Sequence, residues 1–424
     1  MKRKSLATII ICIISVMILA GCGMATESNS ADKPEAVEED AEIAEDSEKE
    51  AEDSDDEDDQ KAHEKKSKKK ASKKAEEIEE PVALTKSECE DEIEKLMNTE
   101  PITPENAELL LEMANCVPSA WIDESGVIFS EMDNEYKERL RMEFFDLIFY
   151  GGPELSEATA KNFDPSSGVP LEDVEEICRE LYGEDDFTSG EYEDVKDGCL
   201  FPTFGAGDAI HVIEHMQIFE DGDYCLLSGP MICISDYEGD RFEGYGDILF
   251  VKNPDSRYGV TLLYGRCRDE VMGISSVETS STLPASKDKS YAAENLIDND
   301  YTTVWVEGAS GDGIGETITI HLDKEQTVFG VQIVSGYTAS YKQYNDNGVP
   351  TAFSADFGGG AIAEGSLEDY YISEDYSVED LAAFNRSRIE LDKPATTDTI
   401  TITITGAKSG AKYDDTCASE VWVY

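Results

Sequence analysis

His211-Val212-Ile213-Glu214-His215 reads H-x-x-E-H. On a helix this spacing puts two imidazoles on one face beside a carboxylate, the arrangement that zinc-dependent hydrolysis uses. The flanking residues argue against the helix. Ala209 to Phe219 is rich in β-branched types and runs into Glu220-Asp221-Gly222-Asp223, a good hairpin turn. In a strand His211 and His215 share a face but stand about 13 Å apart, too far for one metal. The expectation is a half-exposed strand face. No other catalytic set stands out: the chain lacks a G-x-S-x-G elbow and a P-loop, and it has only 4 histidines. His63 falls in a charged segment and His321 on an outward strand face. Carboxylates are plentiful, but nothing selects two of them as a glycosidase pair.

The first residues carry a different kind of chemistry. Lys2, Arg3 and Lys4 precede an apolar run from about Leu6 to Ala20 that ends in Leu19-Ala20-Gly21-Cys22. A basic start followed by a short apolar core reads as a signal peptide over 1–21. Its end resembles the lipobox of bacterial lipoproteins, which implies that Cys22 carries a diacylglyceryl group and becomes the new N-terminus. Two or more acyl chains hold a protein durably at a bilayer where one would be marginal. The chain is therefore expected at the outer face of a cell membrane.

A formal charge of −58 over 424 residues argues against phosphate-backbone binding, which needs clustered Lys and Arg, so no nucleic-acid partner is expected. Cys89, Cys116, Cys178, Cys199, Cys225, Cys233, Cys267 and Cys417 lie beyond the anchor. Export permits disulfides, yet no pair has CxxC spacing and the connectivity stays open. Buried free thiols are the simpler expectation.

Positioning these residues requires three kinds of sequence. Residues 22–82 are low in complexity and run acidic, basic and acidic again, with almost no aromatics. Such a stretch cannot bury enough apolar surface to offset chain entropy and reads as a disordered tether. Between 83 and 270, helical periodicity predicts helices near Lys86–Met97, Pro104–Asn115, Glu131–Phe149 and Leu171–Leu181. Thr103 and Pro104 mark one start, and Gly183 marks one stop. Strands follow at Ala209–Phe219, Tyr224–Ser228, Met231–Ser235, Asp247–Val251 and Gly259–Tyr264. Helices first and strands afterwards predict an α+β domain ending in an antiparallel meander. From 276 to 424 helical period nearly vanishes. Alternation in Thr317–Leu322 and Thr399–Thr405 turns Ile318, Ile320 and Leu322, and Ile400, Ile402 and Ile404, toward one core, which predicts a β-sandwich.

The C-terminal stretch resembles a known family. "AENLIDNDYTTVWVEG" (Ala293–Gly308), "GIGETITIHL" (Gly313–Leu322), "VFGVQIVSGY" (Val328–Tyr337), Asn347 and "YDDTCASEV" (Tyr413–Val421) occur in the order and spacing of the discoidin, or factor V/VIII type C, jelly roll. The variant beside streptococcal NAD glycohydrolase, a glycan-binding translocation domain, is the nearer likeness. Nothing upstream resembles the glycohydrolase itself. The resemblance implies a galactose-binding-like jelly roll over 276–424 with a carbohydrate ligand. Asp298, Asp300 and Thr303 offer hard oxygens in one turn-rich loop. The family's habit of a calcium at this corner implies that Glu420, returning on the last strand, completes a calcium site. The same side chains can alternatively cap loop amides with no metal. Sugar binding needs flat faces and a few fixed polar groups. Tyr337, Tyr341, Tyr344 and Asn347 supply these, with Glu307 and Tyr413 nearby, whereas Trp305 is expected in the core. The chain departs from the family at Gly348, Val349, Pro350 and Thr351, where basic residues are usual; a ligand relying on those charges would be lost or changed.

The reading is a multidomain surface lipoprotein: a lipid anchor, a disordered tether, an α+β domain of unassigned role, and a discoidin-like jelly roll that binds carbohydrate without catalysis. Two alternatives are an enzyme with catalysis in 83–270, and an adaptor that binds a protein partner. Buried carboxylates with shifted pKa, or a zinc site in 83–270, would favour the enzyme; a flat apolar patch would favour the adaptor.

Overall fold

The computed structural model describes residues 84–119, 126–183, 188–190, 193–202, 209–235, 240–268, 271–286 and 289–424. Cys22, the signal stretch 1–21 and the tether 22–82 lie outside the described residues. Among the described residues no helix is long and apolar enough to cross a membrane.

The first helix, α1 (Lys86–Met97), begins where Thr85 and Glu88 exchange capping hydrogen bonds, each side chain satisfying the other's backbone N–H. Cys89, Ile93 and Leu96 recur at helical spacing on its buried face. That face packs against Phe219, Leu226, Leu249 and Tyr264 of a sheet. The sheet is six-stranded and antiparallel. It is built from β1 (Val127–Ile128), β5 (Ala209–Ile213), β6 (Gln217–Asp221), β7 (Tyr224–Ser235), β8 (Arg241–Lys252) and β9 (Val260–Arg268). Their order is β1-β9-β8-β7-β5, with β6 also on β7. The opposite face, including Ile213, Cys225, Leu227, Ile248 and Phe250, packs under α2 (Ala107–Ser119), α3 (Asn134–Asp146), α4 (Pro153–Thr159) and α5 (Leu171–Tyr182). Both sheet faces are covered, so β7 is buried almost throughout rather than alternating with solvent. Gly183 closes α5 in the left-handed conformation at φ 81°, which glycine adopts at no steric cost. A small sheet of β2 (Val169–Pro170), β4 (Cys199–Pro202) and β3 (Glu193–Lys196) flanks this layer. Arg141 of α3 crosses to Glu193 of β3 with two hydrogen bonds, at 2.8 and 2.6 Å, and both side chains are buried.

Several elements differ from the sequence expectation for a physical reason. The single strand expected over Ala209–Phe219 breaks at Glu214-His215-Met216, where His215 takes φ 49°. The two strands expected over Tyr224–Ser228 and Met231–Ser235 are one, and both β5 and β6 line its same edge. Pro230 has no N–H for the ladder, and a Cβ on Gly229 would lie 2.5 Å from the Glu214 carbonyl, so the neighbouring strand must jog there. α2 starts at Ala107 rather than Pro104, and α4 and the small sheet have no clear sequence signature.

The remaining strands make an all-β jelly roll in a seven-stranded hydrogen-bonded array. Its strands are β10 (Ile274–Thr279), β11 (Trp305–Val306), β12 (Thr317–Ser335), β13 (Val349–Asp356), β14 (Ile362–Ser366), β15 (Arg386–Lys408) and β16 (Cys417–Val423). They follow the order β11-β16-β12-β15-β13-β14, with β10 on β12. The long strands β12 and β15 pair along most of their length, with register shifts between His321 and Gln326 and between Val328 and Gly330. Ile318, Ile320, Ile400, Ile402, Ile404 and Trp305 are buried together, and the Trp305 indole N–H donates to the Ser281 carbonyl at 3.1 Å. Phe242 of β8 stacks on Tyr424 with ring centroids 4.5 Å apart, joining the two sheets through an apolar seam. All eight cysteines from Cys89 to Cys417 are free, and seven of them are buried.

Candidate functional site: a tyrosine-lined cleft and an acidic corner

The loop after β12 turns at Gly336 and enters the short helix α6 (Tyr341–Asp346), which Ser340 caps through the Gln343 N–H. Tyr344 reaches back beneath that helix. Its hydroxyl donates to Asn385 Oδ1 at 2.7 Å, and burial pushes it up to about 12, with Asp369 adding repulsion. Gly336 is required here: it sits at φ 93°, and an added Cβ would fall 2.7 Å from the Tyr344 ring. Tyr341 and Tyr344 form one wall of a cleft of about 770 Å³, whose other lining includes Tyr370, Tyr371, Asp369, Glu368, Asn345 and Lys408. Tyr371 is 84% exposed, which leaves it largely open to solvent. A space of this size with aromatic faces and a few polar groups suits a small ring-shaped ligand.

The other residues proposed from sequence do not line the cleft. Tyr337 is buried, and Lys289 donates to its hydroxyl at 2.8 Å. Asn347 ends α6 and donates from Nδ2 to the Gln343 carbonyl at 2.7 Å. Tyr413 is half-exposed in a neighbouring loop, with Lys412 over its ring at 4.6 Å. Glu307 is fully buried; one carboxylate oxygen accepts the Ala309 N–H at 2.6 Å and the other has no partner. Tyr370, Tyr371 and Lys408 also line the cleft and carry no sequence signal: the adjacent tyrosines in Leu367–Tyr376 follow no periodicity that would place them. Lys408 pairs with Val349 across β13 and β15, so a positive charge reaches the cleft from the next strand rather than from 348–351.

Asp298, Asp300, Thr303 and Glu420 do come together at one corner. The Asp300 N–H donates to Asp298 Oδ1 and Glu420 Oε1, both at 3.0 Å, and the Thr303 hydroxyl donates to Asp298 at 2.8 Å. The Asp300 carboxylate turns instead to the Thr302 N–H and hydroxyl. Glu420 is fully buried and its Oε2 lacks a partner. Burial, with the Asp298 carboxylate beside it, pushes Glu420 up to about 8. An orphaned buried carboxylate oxygen next to a second carboxylate fits a hard cation held by Asp298, Thr303 and Glu420, while the Asp300 side chain shapes the loop.

In the middle region the two histidines of H-x-x-E-H part company. His211 Nε2 lies 2.9 Å from Glu243 Oε2, whereas His215 meets Glu390 of the jelly roll. Carboxyls raised by burial are present in this region: Glu112 accepts the Leu155 N–H at 2.7 Å at the start of α4, and Glu143 and Asp146 neighbour each other on α3. Glu143 is driven to about 7 by burial and by Asp146. A carboxyl raised from its ordinary 4.5 keeps its full stabilising contribution below that pH and loses it as pH climbs through 7. Glu143→Gln is therefore expected to raise stability at pH 8 by about 1–3 kcal/mol and to change nothing at pH 4. Thermal melts at the two pH values test this, and equal shifts at both would contradict the buried charge.

The family described as the NAD glycohydrolase translocation F5/8 type C domain matches residues 268–424. This part of the chain is a discoidin-like jelly roll. The CBM32 of AlyQ in complex with 4,5-unsaturated mannuronic acid shares 20% identity, covering 37% of this chain and 98% of that one, with a TM-score of 0.25. The CBM32-1 and CBM32-2 domains of Clostridium perfringens ZmpB, in complex with GalNAc, share 13%, covering 36% of this chain and 33% of theirs, at 0.26. The family 32 CBM of C. perfringens NanJ, in complex with galactose, shares 18%, covering 35% and 91%, at 0.25. No curated protein matches the chain.

Proposed function

We propose that this protein is a surface lipoprotein that binds carbohydrate in the cleft between α6 and the Leu367–Ile372 segment. The cleft carries the reading: Tyr341 and Tyr371 offer ring faces for C–H stacking, and Asn345, Asp369 and Lys408 offer donors and acceptors for hydroxyls. A bound calcium ion at the Asp298–Glu420 corner would neutralise the paired carboxylates and tie the first loop to the last strand. It acts on the shape of the fold and takes no part in sugar contact.

A glycan array probed with the protein is the direct test. Tyr371→Ala and Tyr341→Ala are each expected to weaken the retained glycan about tenfold, the equivalent of roughly 1.4 kcal/mol for one aromatic face. An array with no retained glycan, or variants that bind as tightly as the wild type, would overturn the assignment. The anchor rests on the sequence from Lys2 to Cys22. Cys22→Ser is expected to shift the protein from the membrane fraction to the medium or to leave it as unprocessed precursor. Unchanged lipidated protein in that variant would remove the anchor.

A further inference from the structure

Three adjacent strands of the middle sheet bring together an imidazole, a thiol and a carboxylate. His211 on β5 is the direct cross-strand partner of Cys233 on β7. Glu243 on β8 sits where the β7–β8 register slips, between the pairs Ile232–Phe242 and Met231–Gly244. Such a bulge re-aims a side chain, and here the Glu243 carboxylate reaches across to His211. One ligand atom from each residue lies within 4.8 Å of the other two.

We propose that His211, Cys233 and Glu243 form a metal site for a zinc-class transition ion. Thiolate and imidazole are the donors that select borderline-soft ions such as Zn²⁺ over calcium or magnesium. Three protein donors leave a fourth position of a tetrahedron to water or a ligand, the composition of an open zinc site. Cys233 is buried beneath, whereas the His211 and Glu243 side chains keep 15% and 27% exposure, so an ion can enter from their side. Arg241 donates to Glu243 Oε1 at 2.7 Å, which fixes the carboxylate while Oε2 faces His211. Outer partners of this kind orient metal ligands.

A second trio, Glu214, His215 and Glu390, has similar spacing but a different character. The Arg388 guanidinium is bonded to both of its carboxylates, and a cation is already in place there. The contrast gives the proposal an internal control.

Cobalt(II) added to the chelator-treated protein is the probe. The expected result is a near-ultraviolet thiolate-to-cobalt charge-transfer band with visible bands of tetrahedral intensity, displaced by one equivalent of Zn²⁺ and not by Ca²⁺. Cys233→Ser should remove the charge-transfer band. Glu243→Gln should weaken zinc at least tenfold in competition, and His215→Asn should leave the spectrum unchanged. A wild-type protein with no charge-transfer band would overturn the site whatever the variants do. So would a band that survives Cys233→Ser or disappears with His215→Asn.

Discussion

Replacing Arg141 with alanine is expected to destabilise the α+β region by about 3–5 kcal/mol. The pair it breaks joins α3 to β3, and its side chains keep only 4% and 0% of their exposure. Arg141 meets Glu193 in a fork, with Nε to one oxygen at 2.8 Å and a terminal nitrogen to the other at 2.6 Å. The same terminal nitrogen donates to the Thr188 carbonyl at 3.1 Å, and the Gly190 N–H donates to Glu193 at 3.0 Å. Alanine removes the cation and leaves an ionised carboxylate in a dry place with one backbone donor. The pair itself is a different quantity, because its Coulomb gain is largely offset by taking two charges out of water. Arg141→Met combined with Glu193→Leu should therefore recover most of the loss, since no charge is left alone. Urea unfolding followed by circular dichroism measures both. A single variant within about 0.5 kcal/mol of the wild type would mean that water reaches the pair.

What was legible in the sequence was local. The helical period over Lys86–Met97 and the stop at Gly183 each specify their feature within a few residues; the first helix has the limits read from the sequence, and α5 runs one residue further, to Tyr182. The alternating isoleucines at 318, 320, 400, 402 and 404 do the same for the sandwich core. Ala209–Phe219 failed for a non-local reason: its break is imposed by Gly229 and Pro230 on the strand alongside. The candidate sites divide in the same way. Tyr341 and Tyr344 stand in one short helix and were visible together, whereas Tyr371 and Lys408 reach the cleft from later segments with no periodic signal. His211 was singled out with His215 by spacing along the chain, yet its partners are Cys233 across the ladder and Glu243 two strands away. Pairing register decides those neighbours, and no motif spells it.

Calcium is expected to raise the melting temperature of the protein by about 3–4 °C once it exceeds its dissociation constant a hundredfold. That excess corresponds to about 2.7 kcal/mol of mass-action stabilisation, and the unfolding entropy of a chain this long converts each kcal/mol into little more than about 1 °C. The physical source is Glu420. Its carboxylate is fully buried on the last strand, with one oxygen accepting the Asp300 N–H and the other lacking any partner. Asp298 stands beside it, so ionising both groups without a counter-charge is costly. A divalent cation bound there would relieve that repulsion and join the 298–303 loop to β16. Asp298→Ala should abolish the rise. Glu420→Gln should also abolish it, yet be at least as stable as the wild type in calcium-free buffer at neutral pH, because it removes the cost of keeping a carboxyl raised to about 8 protonated and keeps an oxygen for the Asp300 N–H. Magnesium should substitute poorly, since it demands a tighter octahedron and gives up its water reluctantly. If saturating calcium leaves the melt unmoved and calorimetry detects no binding, Asp298 and Glu420 act as caps of the loop amides.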